Sequence, residues 1–173
     1  MDSIIQNVLE LSRHRQTVPE LLDSKAWLEE FLIRFSNSYK DTISVSLKID
    51  PAKTTIRFHP GQLEQLLTNL CDNGLRYSHK LTNEYKLAIE VSLLEHSQVP
   101  VLDVIDYGPG PAAGHEEQVF EPSYTTESSG TGLGLFICKE ICEANQARIF
   151  FRRTPDNRSC FRIVFAHPDR NII

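Results

Sequence analysis

The sequence predicts an α/β (α+β) two-layer sandwich: a mixed sheet of about five strands with about three helices on one face, plus a short N-terminal helix. Two observations lead to this fold class. Strand-like segments occur mostly in adjacent pairs, which is typical of an antiparallel or mixed sheet and unlike the regular alternation of a doubly wound parallel sheet. The helical segments between them are apolar on one face only, which suits helices that cover a sheet.

Two periodicities define the elements in chain order. Apolar residues three and four apart predict helices over 3–15, from about Ser24 to Phe35, 60–78 and 132–144. Alternating apolar residues predict strands over 43–49, 55–58, 87–93, 101–106, 148–152 and 161–166. The strand over 55–58 is expected to partner that over 43–49 after the turn at Asp50-Pro51, and the last two strands are expected to form a hairpin.

Composition and charge exclude several classes of function. The net charge of −5 leaves no basic stripe for a nucleic-acid partner. No apolar run approaches the roughly 20 residues that span a bilayer, and no secretory signal opens the chain. We therefore expect a cytoplasmic chain without membrane contact. The cysteines lack paired metal spacing and are expected to be reduced core thiols: Cys71, Cys138, Cys142 and Cys160.

The third predicted helix carries a polar stripe of Asn69, Asn73, Arg76 and Tyr77. At 100° per residue this stripe lies about a quarter-turn from the apolar face, at the edge of the core where a cleft would open. A carboxamide oxygen can complete the shell of Mg²⁺, and an arginine one turn further on can meet phosphate oxygens. Taken alone, these residues are more readily explained as an ordinary polar surface than as a functional site.

Two glycine-containing segments add to this stripe. Asp106 shares the parity of the apolar residues of its strand, so it points to the core side at the strand's end, where an adenine amino group would be a fitting donor. Gly108 and Gly110 follow it and permit close approach of a planar base. Residues 128–135, which open the last helix, offer backbone N–H groups and a positive dipole end to phosphate. Each segment alone is weak evidence for a nucleotide site, because an ordinary Asp-x-Gly turn or glycine-rich hinge contains the same residues.

In combination, four segments resemble the Bergerat-fold ATP-binding domains shared by histidine kinases, gyrase, Hsp90 and MutL. The N box is matched by NLCDNGLRYS, the G1 box by DYGPG, the G2 box by GTGLGL, and the F box of histidine kinases by VFEPSYTT. The resemblance covers about 18–167. Two residues depart from the family pattern: Gly74, where alanine is usual, and Pro109 within the G1 box.

The resemblance implies a site for ATP and Mg²⁺, with Asn73 as the metal ligand and with Asn69, Asn73 and Arg76 as catalytic residues. Residues 111–130 would form a lid over the nucleotide, with Phe120 as its latch. The implied nucleotide-binding residues are Asn69, Asn73, Arg76, Tyr77, Asp106, Gly108, Gly110, Phe120, Thr131, Gly132, Leu133 and Gly134.

The branch of the family is indicated by Asn69. In the ATP-hydrolysing branch a glutamate at this position activates water, which asparagine cannot do. Together with the F box, this implies a histidine kinase that transfers the γ-phosphate of ATP to a histidine and then to a response regulator. The details are most similar to the nitrogen- and pilus-regulating sensor kinases. Two alternatives stay open: a nucleotide-gated module without catalysis, and a gyrase- or Hsp90-type ATPase.

The phosphoacceptor is expected to lie outside this chain. None of the six histidines stands next to an acidic residue on a predicted helix. Residues 1–17 resemble the end of the second dimerisation helix of sensor kinases, and 168–173 form a tail. We therefore expect the acceptor on an upstream dimerisation domain of a homodimeric parent, with membrane anchoring of that parent left open.

Overall fold

The computed structural model describes residues 18–122, 124 and 132–169. The predicted helix over 3–15, most of the second half of the predicted lid and Thr131 lie outside the described residues. The elements are β1 (Glu20–Asp23), α1 (Ser24–Ser38), β2 (Ser44–Ile49), β3 (Thr55–Phe58), α2 (Pro60–Thr82), β4 (Lys86–Leu93), β5 (Pro100–Asp106), a 3₁₀ turn (Gln118–Phe120), α3 (Gly134–Ala144), β6 (Arg148–Arg153) and β7 (Ser159–Val164).

The main sheet has five strands in the order β2-β4-β5-β7-β6. β2 runs parallel to β4, and the remaining pairs are antiparallel, which confirms the predicted mixed sheet and the terminal hairpin of β6 and β7. The register places Asp106 opposite Leu87 on one side and Ser159 on the other. The start of β4, the end of β5 and the start of β7 therefore meet at one end of the sheet.

The predicted partner of β3 is wrong. β3 pairs antiparallel with β1, a strand that the sequence pattern did not reveal, in a separate two-stranded sheet. The physical reason is burial: Ile56 and Phe58 are fully buried, and Phe58 packs edge-on against Phe165 at 5.7 Å between ring centroids, beyond the end of β7. These contacts hold β3 away from β2, whose hydrogen bonds go to β4.

Helix ends differ from prediction where a local backbone conformation decides them. α2 runs one turn beyond Ser78 because Asn83 closes it in the left-handed region at φ 60°, with its N–H donating to the His79 carbonyl at 2.8 Å. α3 begins at Gly134, since Gly132 has φ +68° and cannot be helical. α1 begins as predicted at Ser24, where Asp23 accepts a hydrogen bond from the Ala26 N–H at 2.9 Å.

The core lies between the helices and one face of the sheet, which confirms the two-layer sandwich. α2 packs against α3 and against β4 and β5, and α3 also packs against β6. The four cysteines are free and buried, as predicted. Burial raises the pKa of the Cys71 and Cys138 thiols to about 12, so both remain protonated in the core.

A buried polar network joins the start of α2 to the end of α3. The fully buried Asn145 accepts from the His59 N–H at 2.8 Å and donates to Gln62 Oε1 at 2.6 Å and to the Ile141 carbonyl at 2.9 Å. We expect Asn145→Leu to lower the free energy of unfolding by about 2–4 kcal/mol, because it strands several buried polar groups. Urea unfolding measures this, with Glu143→Ala on the exposed face of α3 as control; equal midpoints for the two variants would contradict the role of the network.

Candidate functional site

A cavity of about 510 Å³ lies between α2, the loop after β5 and the start of α3. It brings together residues from the polar stripe of α2, the Asp106–Gly110 segment and the glycine-rich start of α3. The predicted residues that line it are Asn69, Asn73, Arg76, Tyr77, Asp106, Gly110, Gly132 and Gly134. The segments are far apart in the chain, and the packing of α2 against β5 and α3 joins them in one site.

The polar stripe of α2 forms one side of the cavity. Its side chains are partly buried, as expected for residues at the edge of the core. Asn73 Oδ1 accepts a hydrogen bond from Arg76 Nη2 at 3.3 Å, and Arg76 Nε lies 3.9 Å from Asp72 Oδ2. Asn69 lines the cavity beside the buried thiol of Cys138, at the boundary between the cavity and the core. An amide oxygen, a carboxylate and a guanidinium therefore lie close together beside the cavity.

Asp106 is only 3% exposed at the end of β5. Its Oδ1 accepts from the Gly108 N–H at 2.8 Å, and its Oδ2 accepts from Ser159 Oγ at 3.0 Å. Burial raises the pKa of Asp106 to about 6, opposed by these two hydrogen bonds and by the charge of Arg153. The group is thus an ionised carboxylate at neutral pH with lone pairs left for a donor in the cavity.

Glycines bring α2 and the β5 loop into close contact around Asp106. A Cβ on Gly74 would lie 2.6 Å from Leu87 Cδ2 and 3.2 Å from Asp106 Cβ. A Cβ on Gly108 would lie 2.7 Å from Tyr77 Cβ, so Gly108 serves helix–loop packing behind the cavity and does not line it. Gly110 lines the cavity and has φ +68°, which favours glycine.

Two other predicted residues, Phe120 and Leu133, lie outside the cavity lining. Phe120, in the 3₁₀ turn, is 7% exposed and packs edge-on against Phe161 with 5.9 Å between ring centroids. Phe161 itself lines the cavity, so Phe120 supports that wall from the core. Leu133 also packs against the core, and Thr131 is not among the described residues.

Sequence reasoning missed several lining residues. Ser159 stands directly opposite Asp106 in the pairing of β5 with β7, and the sequence pattern did not predict the pairing of these two distant strands. Phe161 shares the face of Ser159, two positions further along β7. The others lie within the four matched boxes or in the loop after β5 and were not predicted to line the site: Asp72, Pro109, Pro111, Ala112, Val119, Tyr124 and Leu135.

Residues 58–169 match the family model for histidine kinase-, DNA gyrase B- and HSP90-like ATPases. The chain belongs to this family. It is 44% identical over 168 residues to the sensor protein kinase PilS of Pseudomonas aeruginosa, covering 97% of this chain and 32% of PilS. The domain is therefore homologous to the catalytic part of sensor histidine kinases, and it spans about a third of the length of that relative.

Solved structures agree on the fold of this ATPase domain. The histidine kinase AdeS of Acinetobacter baumannii superimposes with a TM-score of 0.71 at 27% identity, covering 97% of this chain and 79% of AdeS. Full-length ShkA in complex with AMPPNP superimposes with a TM-score of 0.73 at 20% identity, covering 94% of this chain and 35% of ShkA. At that identity the likeness to ShkA speaks for the fold alone.

Two properties of the described residues bear on metals and membranes. Within 18–122, 124 and 132–169, no group of three or more His, Cys, Asp or Glu side chains is placed to hold a metal ion. In the same ranges, none of the helices has the length and hydrophobicity needed to cross a bilayer.

Proposed function

We propose that this domain binds ATP with Mg²⁺ in the cavity and donates the γ-phosphate to a histidine on an upstream dimerisation helix of the same kinase. From there the phosphoryl group passes to an aspartate of a response regulator receiver domain. One observation carries the proposal. A single cavity has a buried, hydrogen-bonded carboxylate, an Asn–Arg stripe and the glycine-lined start of a helix in its walls.

The carboxylate of Asp106 selects the base. Ser159 and Gly108 already hold its two oxygens, so its orientation is set before a nucleotide enters. The amino group of adenine is a donor that this acceptor-only group can satisfy, whereas the carbonyl oxygen of guanine at the same ring position would face it with another acceptor. Phe161 and Val119 supply apolar wall for the base.

The phosphates belong beside the α2 stripe and the start of α3. Arg76 is placed to contact phosphate oxygens, and the first turn of α3 after Gly132 and Gly134 offers backbone N–H groups to them. Lid residues 111–130, with Phe120 buried near their centre, would exclude water around the transferred group.

The residues beside Asn73 fit a magnesium ion. Mg²⁺ keeps several waters and takes one or two protein oxygens plus substrate phosphates, which agrees with a site that offers the Asn73 amide and the nearby Asp72 carboxylate. When bound, the ion would neutralise charge on the phosphate oxygens. The Arg76 guanidinium donates a hydrogen bond to the same Asn73 oxygen, so it too lies close to the position proposed for the ion.

The chemistry favours transfer over hydrolysis. The Asn69 amide cannot take a proton from water, and the carboxylate of Asp72 lies against Arg76. An acceptor imidazole needs no general base, because its neutral nitrogen attacks the γ-phosphorus with its own lone pair while the bond to the ADP oxygen breaks. Positioning then supplies most of the rate. The proposal places the domain in the cytoplasm, where ATP is available, as part of a homodimeric parent.

Titration calorimetry with ATP, with and without Mg²⁺, tests the first half of the proposal. We expect a Kd between about 1 μM and 1 mM that improves with Mg²⁺. Addition of a separately produced phosphoacceptor domain of the parent should then yield phosphohistidine. Absence of binding at millimolar ATP would refute the proposal. Binding without transfer would indicate the nucleotide-gated module, and steady ATP turnover by the chain alone would indicate the hydrolysing branch.

A further inference from the structure

Arg153, the last residue of β6, reaches from the edge of the sheet to the loop that walls the cavity. We propose that Arg153 is a positioning residue for nucleotide binding: it holds the Pro109-Gly110-Pro111 segment in the shape that completes the cavity. The inference rests on the proposed function, because it concerns how the same cavity is kept ready for ATP. Arg153 itself does not line the cavity.

The contacts of the guanidinium are directed at the loop backbone. Nη2 donates to the Pro109 carbonyl at 2.7 Å and lies 3.5 Å from the Pro111 carbonyl. The guanidinium also packs over the Phe151 ring, 5.4 Å from its centroid. Pro109 and Pro111 both line the cavity, so each contact holds the backbone of a residue that forms the cavity wall.

The composition of the segment explains why a side chain is needed. Two of its three residues are proline and have no backbone N–H, so the segment has a single donor with which to tie itself down. Among the described residues, no backbone–backbone hydrogen bond outside the strands and helices involves residues 107–111. The loop is instead held by side chains: Ser78 accepts from the Tyr107 N–H at 2.8 Å, and Arg153 donates at the other end.

The packing around Gly110 points to the same role. A Cβ on Gly110 would lie 3.0 Å from Phe151 Cζ and 3.2 Å from Arg153 Nη2, so the loop rests directly on these two side chains of β6. Loss of the guanidinium would leave a gap behind Gly110 and two carbonyls without their donor. The loop would then sample conformations that do not present Pro109 and Pro111 to the cavity, and nucleotide affinity would fall by the fraction of time spent in them.

The charge of Arg153 offers a competing explanation that the test must separate. A cation near the cavity attracts the phosphates of ATP through space, more strongly for ATP than for ADP and less at high salt. Positioning of the loop acts on the wall of the cavity alone. Its effect is therefore the same for ATP and ADP and independent of salt.

The experiment measures ATP and ADP affinities of the whole chain by calorimetry at low and high salt for Arg153→Met and Arg153→Lys. Arg148→Met, at the exposed opposite end of β6, is the matched control for removal of one charge. We expect Arg153→Met to weaken both nucleotides about tenfold at either salt concentration. Arg153→Lys should recover part of the loss, since an ammonium retains one donor but not the planar fork.

Hydrogen exchange supplies a readout that nucleotide charge cannot affect. In the nucleotide-free Arg153→Met variant, the amides of Tyr107, Gly108 and Gly110 should exchange faster than in wild type, with a melting temperature close to wild type because Arg153 is exposed. Wild-type affinity in Arg153→Met would overturn the positioning role, and so would a loss of affinity that is larger for ATP than for ADP and disappears at high salt. Neither result would touch the proposed function. Failure of the wild-type chain to bind either nucleotide would overturn the proposed function as well.

Discussion

Replacement of Asp106 by asparagine is expected to weaken ATP binding at least about 100-fold and, at the same time, to stabilise the nucleotide-free domain. Asparagine can keep both existing contacts, because its oxygen can accept from Gly108 and its amide can donate to the Ser159 hydroxyl. It then places an N–H₂ group where the Oδ2 of Asp106 stood and removes the charge. An adenine amino group would lose its charged acceptor in a buried site.

The gain in stability follows from the pKa of Asp106. Burial raises it from 3.8 to about 6, so the ionised carboxylate costs the folded state roughly 2–3 kcal/mol at neutral pH. For an acid whose folded-state pKa is raised, this cost is absent below the unfolded pKa near 4 and fully present above 6. Wild type should therefore lose stability relative to Asp106→Asn as the pH rises from about 4 to 6.

Urea unfolding at pH 4 and pH 7.5 measures the stability difference, and calorimetry at pH 7.5 measures ATP affinity. Asp41→Asn, which removes an exposed carboxylate away from the cavity, is the control and should change neither quantity much. The wild-type protein should also bind adenosine about tenfold more weakly at pH 5 than at pH 7.5, since only a minority of Asp106 is ionised at the lower pH. Undiminished ATP affinity in Asp106→Asn would refute the assignment of the adenine contact.

Asn73→Ala is expected to lower phosphotransfer about 100- to 1,000-fold and to remove the effect of Mg²⁺ on ATP binding. The amide oxygen of Asn73 accepts a hydrogen bond from Arg76 beside the cavity, and it is the oxygen that we propose as a ligand of the ion. The fold should be retained, because Asn73 is only partly buried and alanine is the better helix former.

Transfer of labelled phosphate from ATP to a separate phosphoacceptor domain measures this effect, and calorimetry with and without Mg²⁺ measures the loss of the metal contribution. Asn37→Ala on the exposed face of α1 is the matched control, because it makes the same change in a helix without touching the cavity. Asn73→Asp should retain part of the Mg²⁺ effect through its carboxylate oxygen. A rate in Asn73→Ala equal to that of the control would exclude Asn73 as the metal ligand.

The sequence was sufficient to assign the buried and exposed faces of the helix and strand that carry the predicted site residues. Helical spacing on α2 placed Asn69, Asn73, Arg76 and Tyr77 at the edge of the core, and they line the cavity there. Strand parity placed Asp106 on the core side of β5, and it is buried. Both results follow from the fixed periods of helix and strand, which need no knowledge of distant neighbours.

Only the tertiary structure decided which distant residues support the site. Ser159 reaches Asp106 across 53 positions and Arg153 reaches Pro109 across 44, and neither contact has a local signature. The pairing of β3 with β1 is of the same kind, because burial of Ile56 and Phe58 chose the partner that short-range pattern could not. Periodicity determines which face of an element is buried. The packing of those faces against one another determines which distant residues come into contact, such as Arg153 and the Pro109 carbonyl.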